Sequence, residues 1–284
     1  SRHIPPLPHR LSPVPTTRLA VAAAVLLAAP AAAADPFEFK DGDRVVLLGS
    51  TLIEREQKLG FWELFLTLKN KDKAVTFRNL GWSGDTVHGE ARGRFDFNDP
   101  EKCFRQLVDQ TLALKPTVIL ISYGANESFE GKEGLPKFEK GLNKLLDALK
   151  PAGARLTVLM SPLPYEIGRA PNADARNREL ELYSQAVGKV SRERGLLFAD
   201  MFEEVWKLYV VAEKMNGDTR APRDWWYTDN GVHLRDSGYD RTAHLFNKAL
   251  GLNDTHNGHS PQALKAAIVA KNEQFFNKWR PQNE

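Results

Sequence analysis

Residues that could carry out acyl transfer occur at four well-separated points of the chain. They are the pair Ser50–Thr51, then Gly84, Asn126 and His233. A hydroxyl oxygen can attack an ester carbonyl, while a glycine N–H and an asparagine amide can bind the oxyanion that forms. A histidine can accept the proton that the hydroxyl releases. The residue types therefore predict a hydrolytic site, provided that the fold brings the four points together.

Alternating strands and helices are predicted to position these residues. Short apolar runs predict five strands, at residues 44–49, 74–79, 117–122, 155–160 and 196–199. Apolar residues at helical spacing predict helices at 54–69, 100–114, 138–149, 173–194, 238–250 and 261–280, with 201–228 as a long connection. Apolar strands separated by helices indicate a parallel sheet covered on both faces. Such a sheet binds ligands at the carboxyl ends of its strands, and Thr51, Gly84 and Asn126 each follow a predicted strand.

The order and spacing of these motifs resemble the SGNH, or GDSL-type, hydrolases over residues 43–252. The resemblance implies an α/β fold, namely a flavodoxin-like three-layer α/β/α sandwich around a parallel five-stranded sheet. It also implies an oxyanion hole formed by the Thr51 N–H, Gly84 and Asn126, and it implies that His233 is the general base.

Three positions depart from the pattern of that family. Thr51 stands where the family has its nucleophilic serine, and Ser50 replaces the aspartate before it. Asn230 stands three residues before His233, where the family has an acid, and the nearest acid, Asp229, is one residue further away. The methyl group of a threonine restricts its rotamer and crowds the attacking oxygen. An asparagine can hold an imidazole ring but gives the imidazolium no full charge, and in serine proteases the aspartate-to-asparagine change costs roughly 10⁴ in rate.

Several of these residues also have other interpretations. Thr51 is equally suited to capping the helix that follows it. Ser50 replaces it as nucleophile if the turn shifts by one residue. Ser83 lies in Gly-Trp-Ser-Gly, which is one residue short of the nucleophile elbow of α/β-hydrolases. Trp225 and Trp226 precede the histidine loop and belong either to the core or to a substrate-binding surface that stacks on a sugar.

Two classes of function fit this set of residues. The first is an exported hydrolase of acyl esters, with acetylated carbohydrate preferred to lipid because no amphipathic lid is evident. The second is a non-catalytic protein that uses the same cleft to bind a carbohydrate or an acyl compound. Neither function calls for a cofactor or a metal. His256 and His259 have a metal-like spacing, but they lie in a polar region without a third ligand.

The net charge of the chain comes from a leader at its start. The 284 residues carry a formal charge of +3, and residues 1–34 hold three arginines and no acid. The remainder is neutral, which gives no reason to expect a nucleic acid partner. An apolar run over 19–34 follows Arg18 and ends in alanines before Asp35, as in a secretory signal peptide. The sequence thus predicts a leader (1–34), a hydrolase-like domain (35–252) and a C-terminal helical extension (253–284), without a membrane span after leader removal.

We predict that the leader is removed in front of Asp35, because small residues precede that position as signal peptidase requires. The full chain, expressed in a host with an export pathway, should be recovered outside the cytosol with an N-terminus at or near Asp35. N-terminal sequencing of the recovered protein measures this. Recovery of soluble protein from the cytosol with the leader intact would contradict the prediction.

Overall fold

The computed structural model of the protein describes residues 37–93, 98–217, 225–252 and 261–280. The predicted leader, His256 and His259 lie outside these residues. A sheet of five parallel strands forms the centre of the described structure, in the order β2-β1-β3-β4-β5. The strands are β1 (Arg44–Gly49), β2 (Thr76–Asn79), β3 (Val118–Ser122), β4 (Leu156–Met160) and β5 (Leu197–Ala199).

The register of the central strands places the site-bearing loops side by side. Val45 pairs with Val118 and Gly49 pairs with Ser122, so β1 and β3 end level with each other. The segments that follow the two strands therefore leave the sheet at the same edge. This arrangement confirms the predicted flavodoxin-like parallel sheet and puts the residues after β1 next to those after β3.

Helices cover both faces of the sheet. They are α1 (Thr51–Leu59), α2 (Phe61–Lys69), α3 (Pro100–Ala113), α4 (Leu135–Leu149), α5 (Ala173–Arg194), α6 (Met201–Gly217), α7 (Asp236–Ala249) and α8 (Gln262–Trp279). Side chains alternate along a strand, so Val45 and Leu47 belong to one core while Val46 and Leu48 belong to the other. The first core packs against α1, α2, α6 and α7, and the second packs against α3, α4 and α5. The result is the three-layer α/β/α sandwich that the resemblance implies.

The prediction of one continuous helix over 54–69 is wrong. Gly60 adopts the left-handed conformation, with φ of 67°, and separates α1 from α2. The buried Glu56 carboxylate then accepts hydrogen bonds from the N–H groups of Trp62 and Glu63, at 2.7 and 3.2 Å, and so caps the first turn of α2. Apolar residues continue through the break, which is why periodicity alone does not reveal it.

The prediction of a long connection over 201–228 is also wrong, because its first part forms α6. The buried residues of α6 recur at spacings of four, four and three: Met201, Val205, Tyr209 and Ala212. This is the pattern of a helix with one face in a core. One residue, Asp200, separates β5 from α6, and its carboxylate accepts from the Phe202 N–H at 3.2 Å, so a single N-cap residue is the only local signal of the helix start.

The C-terminal helix packs back onto the domain. The Lys271 ammonium pairs with the Glu63 carboxylate on α2, and the Asn272 amide donates to the Gln57 carbonyl of α1 at 3.3 Å. Ile268 is buried in this contact. None of the helices in the described ranges is long and apolar enough to cross a bilayer.

We predict that Gly60→Ala destabilises the fold more than Gly153→Ala. Both glycines have nearly the same left-handed φ, 67° and 62°, so each alanine should cost about 1–2 kcal/mol in the free energy of unfolding. A Cβ at Gly60 would also lie 3.2 Å from methyl groups of Ile268 and Val269, whereas one at Gly153 would meet nothing within 4 Å. Urea unfolding of both variants measures the difference. Equal losses would mean that α8 does not press on the break between α1 and α2.

Candidate active site

A cleft opens at the carboxyl ends of the central strands. Thr51 from the start of α1, Asn126 from the loop after β3 and His233 from the late loop all line it. Ser50 lines the same cleft. The structure therefore gathers the hydroxyl, the amide and the imidazole that the sequence places far apart.

The Thr51 hydroxyl contacts the backbone donor that is assigned to the oxyanion hole. Thr51 Oγ1 accepts a hydrogen bond from the Gly84 N–H at 3.2 Å. Gly84 has a φ of 77°, a conformation that a residue with a side chain adopts only with strain. Ser50, not Thr51, is the N-cap residue of α1, and its side chain makes no capping hydrogen bond. The structure thus shows no helix-capping role for Thr51, and its role as nucleophile stays a prediction.

Asn126 supplies the second donor group. Its Nδ2 donates to the Asp85 carbonyl at 2.7 Å, which ties it to the residue after Gly84. An amide nitrogen carries two hydrogens, so a second one remains for an oxyanion in the cleft. The Gly84 and Asn126 donors are therefore linked to each other through the backbone of Asp85.

A buried glutamate that the sequence analysis missed joins the two loops that carry these donors. Glu127 Oε2 accepts from the Gly124 N–H and Oε1 accepts from the Val87 N–H, both at 2.9 Å. Burial raises the pKa of Glu127 to about 7. The available signal was its position, since it is an acid directly after Asn126 and close behind the end of a buried strand. Glu127 is a positioning residue, because it holds Gly124 and Val87 and so fixes the loops around Asn126 and Gly84.

A buried ion pair between Asp85 and Arg92 holds the loop that carries Gly84. Asp85 Oδ2 lies 2.8 Å from Arg92 Nε and accepts from the Tyr123 hydroxyl at 3.0 Å, and the Asp85 and Arg92 side chains are fully buried. Arg92 also donates to the Leu80 carbonyl at 2.8 Å. Such additional hydrogen bonds are needed to offset the desolvation of a buried pair. The loop between β2 and the 3₁₀ turn Glu90–Gly93 is therefore held by Tyr123 and by Arg92.

The loop that carries His233 is held by another buried acid. Glu166, fully buried, accepts from the N–H groups of Tyr227 and Thr228 at 2.8 and 2.9 Å, and from the Thr228 hydroxyl. The Thr228 Oγ1 in turn accepts from the Gly231 N–H at 2.8 Å. Glu166 lies in the loop after β4, and no local pattern there indicates a link to the histidine loop.

Asn230, and not Asp229, contacts the His233 ring. Asn230 Oδ1 accepts from the backbone N–H groups of Val232 and His233, at 3.0 and 2.9 Å. Its Nδ2 lies 3.0 Å from His233 Nδ1. Because two N–H donors fix the oxygen, the amide nitrogen must face the ring and donate to Nδ1. A neutral imidazole carries one hydrogen, so that hydrogen is on Nε2.

This tautomer is the reverse of the one that a general base needs. In a catalytic triad the orienting carboxylate accepts from Nδ1–H, which leaves the Nε2 lone pair free to take the proton of the nucleophile. In this protein Asn230 donates to His233 instead. Consistent with that, the structure gives no hydrogen bond between the Thr51 hydroxyl and His233, both of which it describes.

The acid beside Asn230 is bound to an arginine. Asp229 Oδ2 lies 2.8 Å from Arg55 Nη2. Arg55 is one helical turn after Thr51 and lines the cleft with it. The pKa of His233 is lowered below the usual value for histidine, mainly because the ring is partly buried and, to a smaller extent, because Arg55 is positively charged. No carboxylate is among the described residues that line the cleft, whereas the Arg55 guanidinium is.

The remaining sequence candidates lie outside the cleft lining. The Ser83 hydroxyl and N–H both donate to the Glu54 carboxylate, each at 2.8 Å. The Arg169 guanidinium lies 5.6 Å from the centre of the Trp226 ring, and Trp225 is 38% exposed. Within the described ranges, no three His, Cys, Asp or Glu side chains form a metal-binding group.

The fold and the site together define a hydrolase of ester bonds of the SGNH type. Residues 60–241 match the model of the GDSL-like Lipase/Acylhydrolase family, and the chain belongs to that family. The matched region begins after Thr51 and includes the Gly84, Asn126 and His233 motifs. No curated protein matches the chain by sequence.

Several solved structures share the fold at low sequence identity. The acetylxylan esterase Axe2 from Geobacillus stearothermophilus is 18% identical, with a TM-score of 0.57 over 78% of this chain and 100% of that one. LAE5, an α/β hydrolase enzyme from the metagenome of Lake Arreo, is 17% identical, with a TM-score of 0.54 over 76% and 99%. BT4096, a gut microbial diltiazem-metabolizing enzyme, is 19% identical, with a TM-score of 0.53 over 75% and 48%.

We predict that Asn230→Asp reverses the His233 tautomer. An aspartate can keep both backbone N–H bonds and accept from Nδ1–H as well, which frees Nε2. The added charge should also raise the His233 pKa. Nitrogen NMR of the ring measures the tautomer and the pKa, and ester turnover should rise by up to about 10⁴, the cost of the opposite change in serine proteases.

Asp229→Asn is the matched control for that experiment. It makes the opposite acid–amide exchange at the neighbouring residue and removes the partner of Arg55, but it leaves the Asn230 contact with the ring in place. Its His233 should keep the native tautomer. An Asn230→Asp variant that also keeps the hydrogen on Nε2 would show that Asn230 does not control the ring.

Proposed function

We propose that the protein hydrolyses acyl esters, with acetyl esters of carbohydrates as its substrate class, and that Thr51 and His233 carry the reaction. The observation that carries the proposal is the 3.2 Å contact between Thr51 Oγ1 and the Gly84 N–H in the cleft that Asn126 and His233 also line. An ester whose carbonyl oxygen bound the same donor would have its carbonyl carbon next to this hydroxyl, within reach of attack. We also propose that the protein works outside the cytosol, as its leader suggests.

In the proposed mechanism, Thr51 Oγ1 attacks the ester carbonyl carbon and passes its proton to His233 Nε2. The N–H groups of Thr51 and Gly84 and the amide of Asn126 bind the tetrahedral oxyanion. Collapse of this intermediate breaks the bond to the alcohol, which leaves with the proton from His233. Water then attacks the acyl-threonine by the same route and releases the acid.

The histidine tautomer sets the rate of this mechanism. Nε2 can accept a proton only when the ring hydrogen is on Nδ1, and Asn230 favours the other form. The productive state is therefore a minor population of the native protein. The oxyanion donors are intact, and each such donor is typically worth about 10²–10³ in rate. Slow but His233-dependent turnover follows from this combination.

The cleft and the structural similarity favour an acetylated carbohydrate as the substrate. Leu52, Leu163 and the buried Leu234 are among the residues that line the cleft, and these apolar side chains suit a short acyl group. The acetylxylan esterase shares the fold over its whole length. An exported protein would also meet polysaccharide esters at its site of action.

A second function, ligand binding without turnover, is favoured by one observation, the hydrogen bond from Asn230 to His233 Nδ1. With the ring hydrogen on Nε2, His233 offers a donor to the cleft, beside the amide of Asn126. A donor-rich cleft binds the carbonyl or hydroxyl oxygens of a ligand without transferring a proton. The two functions differ in whether His233 affects turnover or only affinity.

We predict that native turnover of acetylated xylo-oligosaccharides is slow and that His233→Ala abolishes it. The Thr51→Ser/Asn230→Asp double variant should be faster, because it relieves the crowding at the attacking oxygen and restores the orienting acid. Native activity should rise with pH through an inflection below about 6.5, because the base must be neutral and its pKa is lowered. Acetate release, followed as a function of pH, measures all three.

If the native protein and His233→Ala give the same background rate, the native chain is not a hydrolase of these esters and ligand binding takes its place. A double variant that gains activity from that background would then identify the chain as a hydrolase scaffold whose proton-transfer groups have been replaced.

A further inference from the structure

One aromatic ring stands exposed at the mouth of the cleft. Phe129 is 66% exposed, which makes it the most exposed of the large apolar side chains in the described ranges, and it lines the cleft. Val211 and Trp225 are the other exposed large apolar residues, and neither lines the cleft. A single exposed apolar residue is ordinary on a protein surface. Its position and the way it is held distinguish Phe129.

The Phe129 ring is fixed from one side by an arginine. The Arg176 guanidinium carbon lies 4.0 Å from the ring centre. Arg176 is itself held, because it donates to the Ser128 hydroxyl at 2.8 Å and pairs with the Glu179 carboxylate. One face of the ring is therefore covered by a guanidinium, and the exposed surface is the opposite face with the ring edge. A ring held in this way loses little further freedom when a ligand stacks on it.

The ring is close in the chain to the oxyanion donor. Phe129 lies in the 3₁₀ segment Glu127–Gly134 that follows Asn126, and its N–H donates to the Asn126 carbonyl at 3.2 Å. Its position therefore follows that of Asn126. A group bound against the ring lies beside an ester whose carbonyl oxygen reaches the Asn126 amide.

A second aromatic residue borders the same part of the cleft. Tyr165, from the loop after β4, lines the cleft, and its ring centre is 5.9 Å from the same Arg176 guanidinium carbon. The Asn177 side chain holds Tyr165 through both its N–H and its carbonyl, at 2.6 and 2.9 Å. Two aromatic side chains thus meet around one arginine, and hydrogen-bond donors and acceptors lie next to apolar faces.

We infer that Phe129 and Tyr165 form the subsite for the sugar ring that carries the ester, an inference that rests on the proposed function. With the acyl group packed against the lining leucines Leu52, Leu163 and Leu234, the alcohol part of the substrate extends toward solvent, where Phe129 is exposed. The C–H face of a pyranose stacks on an aromatic ring, and its hydroxyl groups bind donors such as the Tyr165 hydroxyl. This assignment places sugar recognition at Phe129 and not at Trp225 or Trp226.

The test compares Phe129→Ala with Phe129→Trp, Trp225→Ala and Val211→Ala. Two substrates are used, an acetylated xylo-oligosaccharide and ethyl acetate, which has no ring to stack. Phe129→Ala should raise the ratio of KM for the oligosaccharide to KM for ethyl acetate by about two- to tenfold, the range typical of one aromatic contact. Phe129→Trp should restore the native ratio. Val211→Ala, an exposed apolar residue on α6, is the matched control and should leave the ratio at its native value.

Direct binding separates failure of the inference from failure of the proposed function. Calorimetry with unacetylated xylotetraose requires no turnover, and Phe129→Ala should weaken its affinity while Val211→Ala does not. If the native protein has no esterase activity but Phe129→Ala still weakens the affinity for xylotetraose, the subsite is supported and only the proposed hydrolase activity is overturned. A native ratio of KM values and a native affinity in Phe129→Ala would overturn the inference, and a loss in Trp225→Ala instead would move the subsite to that residue.

Discussion

The site depends on buried glutamates whose carboxyl groups accept backbone N–H groups. Glu127 joins the loops after β2 and β3, Glu166 holds the histidine loop, and Glu56 caps α2 beside the first helix of the site. Loop N–H groups have no partner in a helix or a sheet ladder, so side-chain acceptors must satisfy them where they are buried. Each glutamate thereby turns an irregular segment into a fixed support, and the positions of Gly84, Asn126 and His233 follow from these contacts.

The proposed catalytic groups fall into two halves, one that would bind the oxyanion and one that would transfer protons, and only the second departs from the pattern of the family in its hydrogen bonding. In the half proposed to bind the oxyanion, the Gly84 N–H donates to Thr51 Oγ1 and the Asn126 amide donates to the carbonyl of the residue after Gly84. The half that transfers protons is altered, because Asn230 gives a hydrogen to His233 Nδ1 where an aspartate would take one. Under the proposed mechanism, the rate therefore depends in large part on one side-chain group, the amide of Asn230.

The sequence predicted the sheet, the family and the place of the site, because apolar strands and the residues after them are local signals. It missed the break at Gly60, because apolar residues continue at helical spacing from α1 into α2. It also missed the helix α6, which begins one residue after the end of β5. It also missed Glu127, Glu166 and Arg55, because their partners are distant in the chain and only the fold brings them together. The choice between Asp229 and Asn230 needed the structure as well, since it depends on which group accepts the N–H groups of Val232 and His233.

Because Gly231 follows Asn230, the Asn230 side chain is open to deamidation. When a glycine follows an asparagine, its backbone nitrogen can attack the side-chain carbonyl carbon and expel ammonia, and water then opens the ring to aspartate or isoaspartate. The Asn230 oxygen already has two N–H donors that would stabilise charge on it, whereas the hydrogen bond from the Gly231 N–H to Thr228 restrains the attacking nitrogen. A molecule in which Asn230 has become aspartate carries the acid that the family has at this position. Under the proposed mechanism, the ester turnover of a preparation would therefore change with its age and storage, although its gene stays the same.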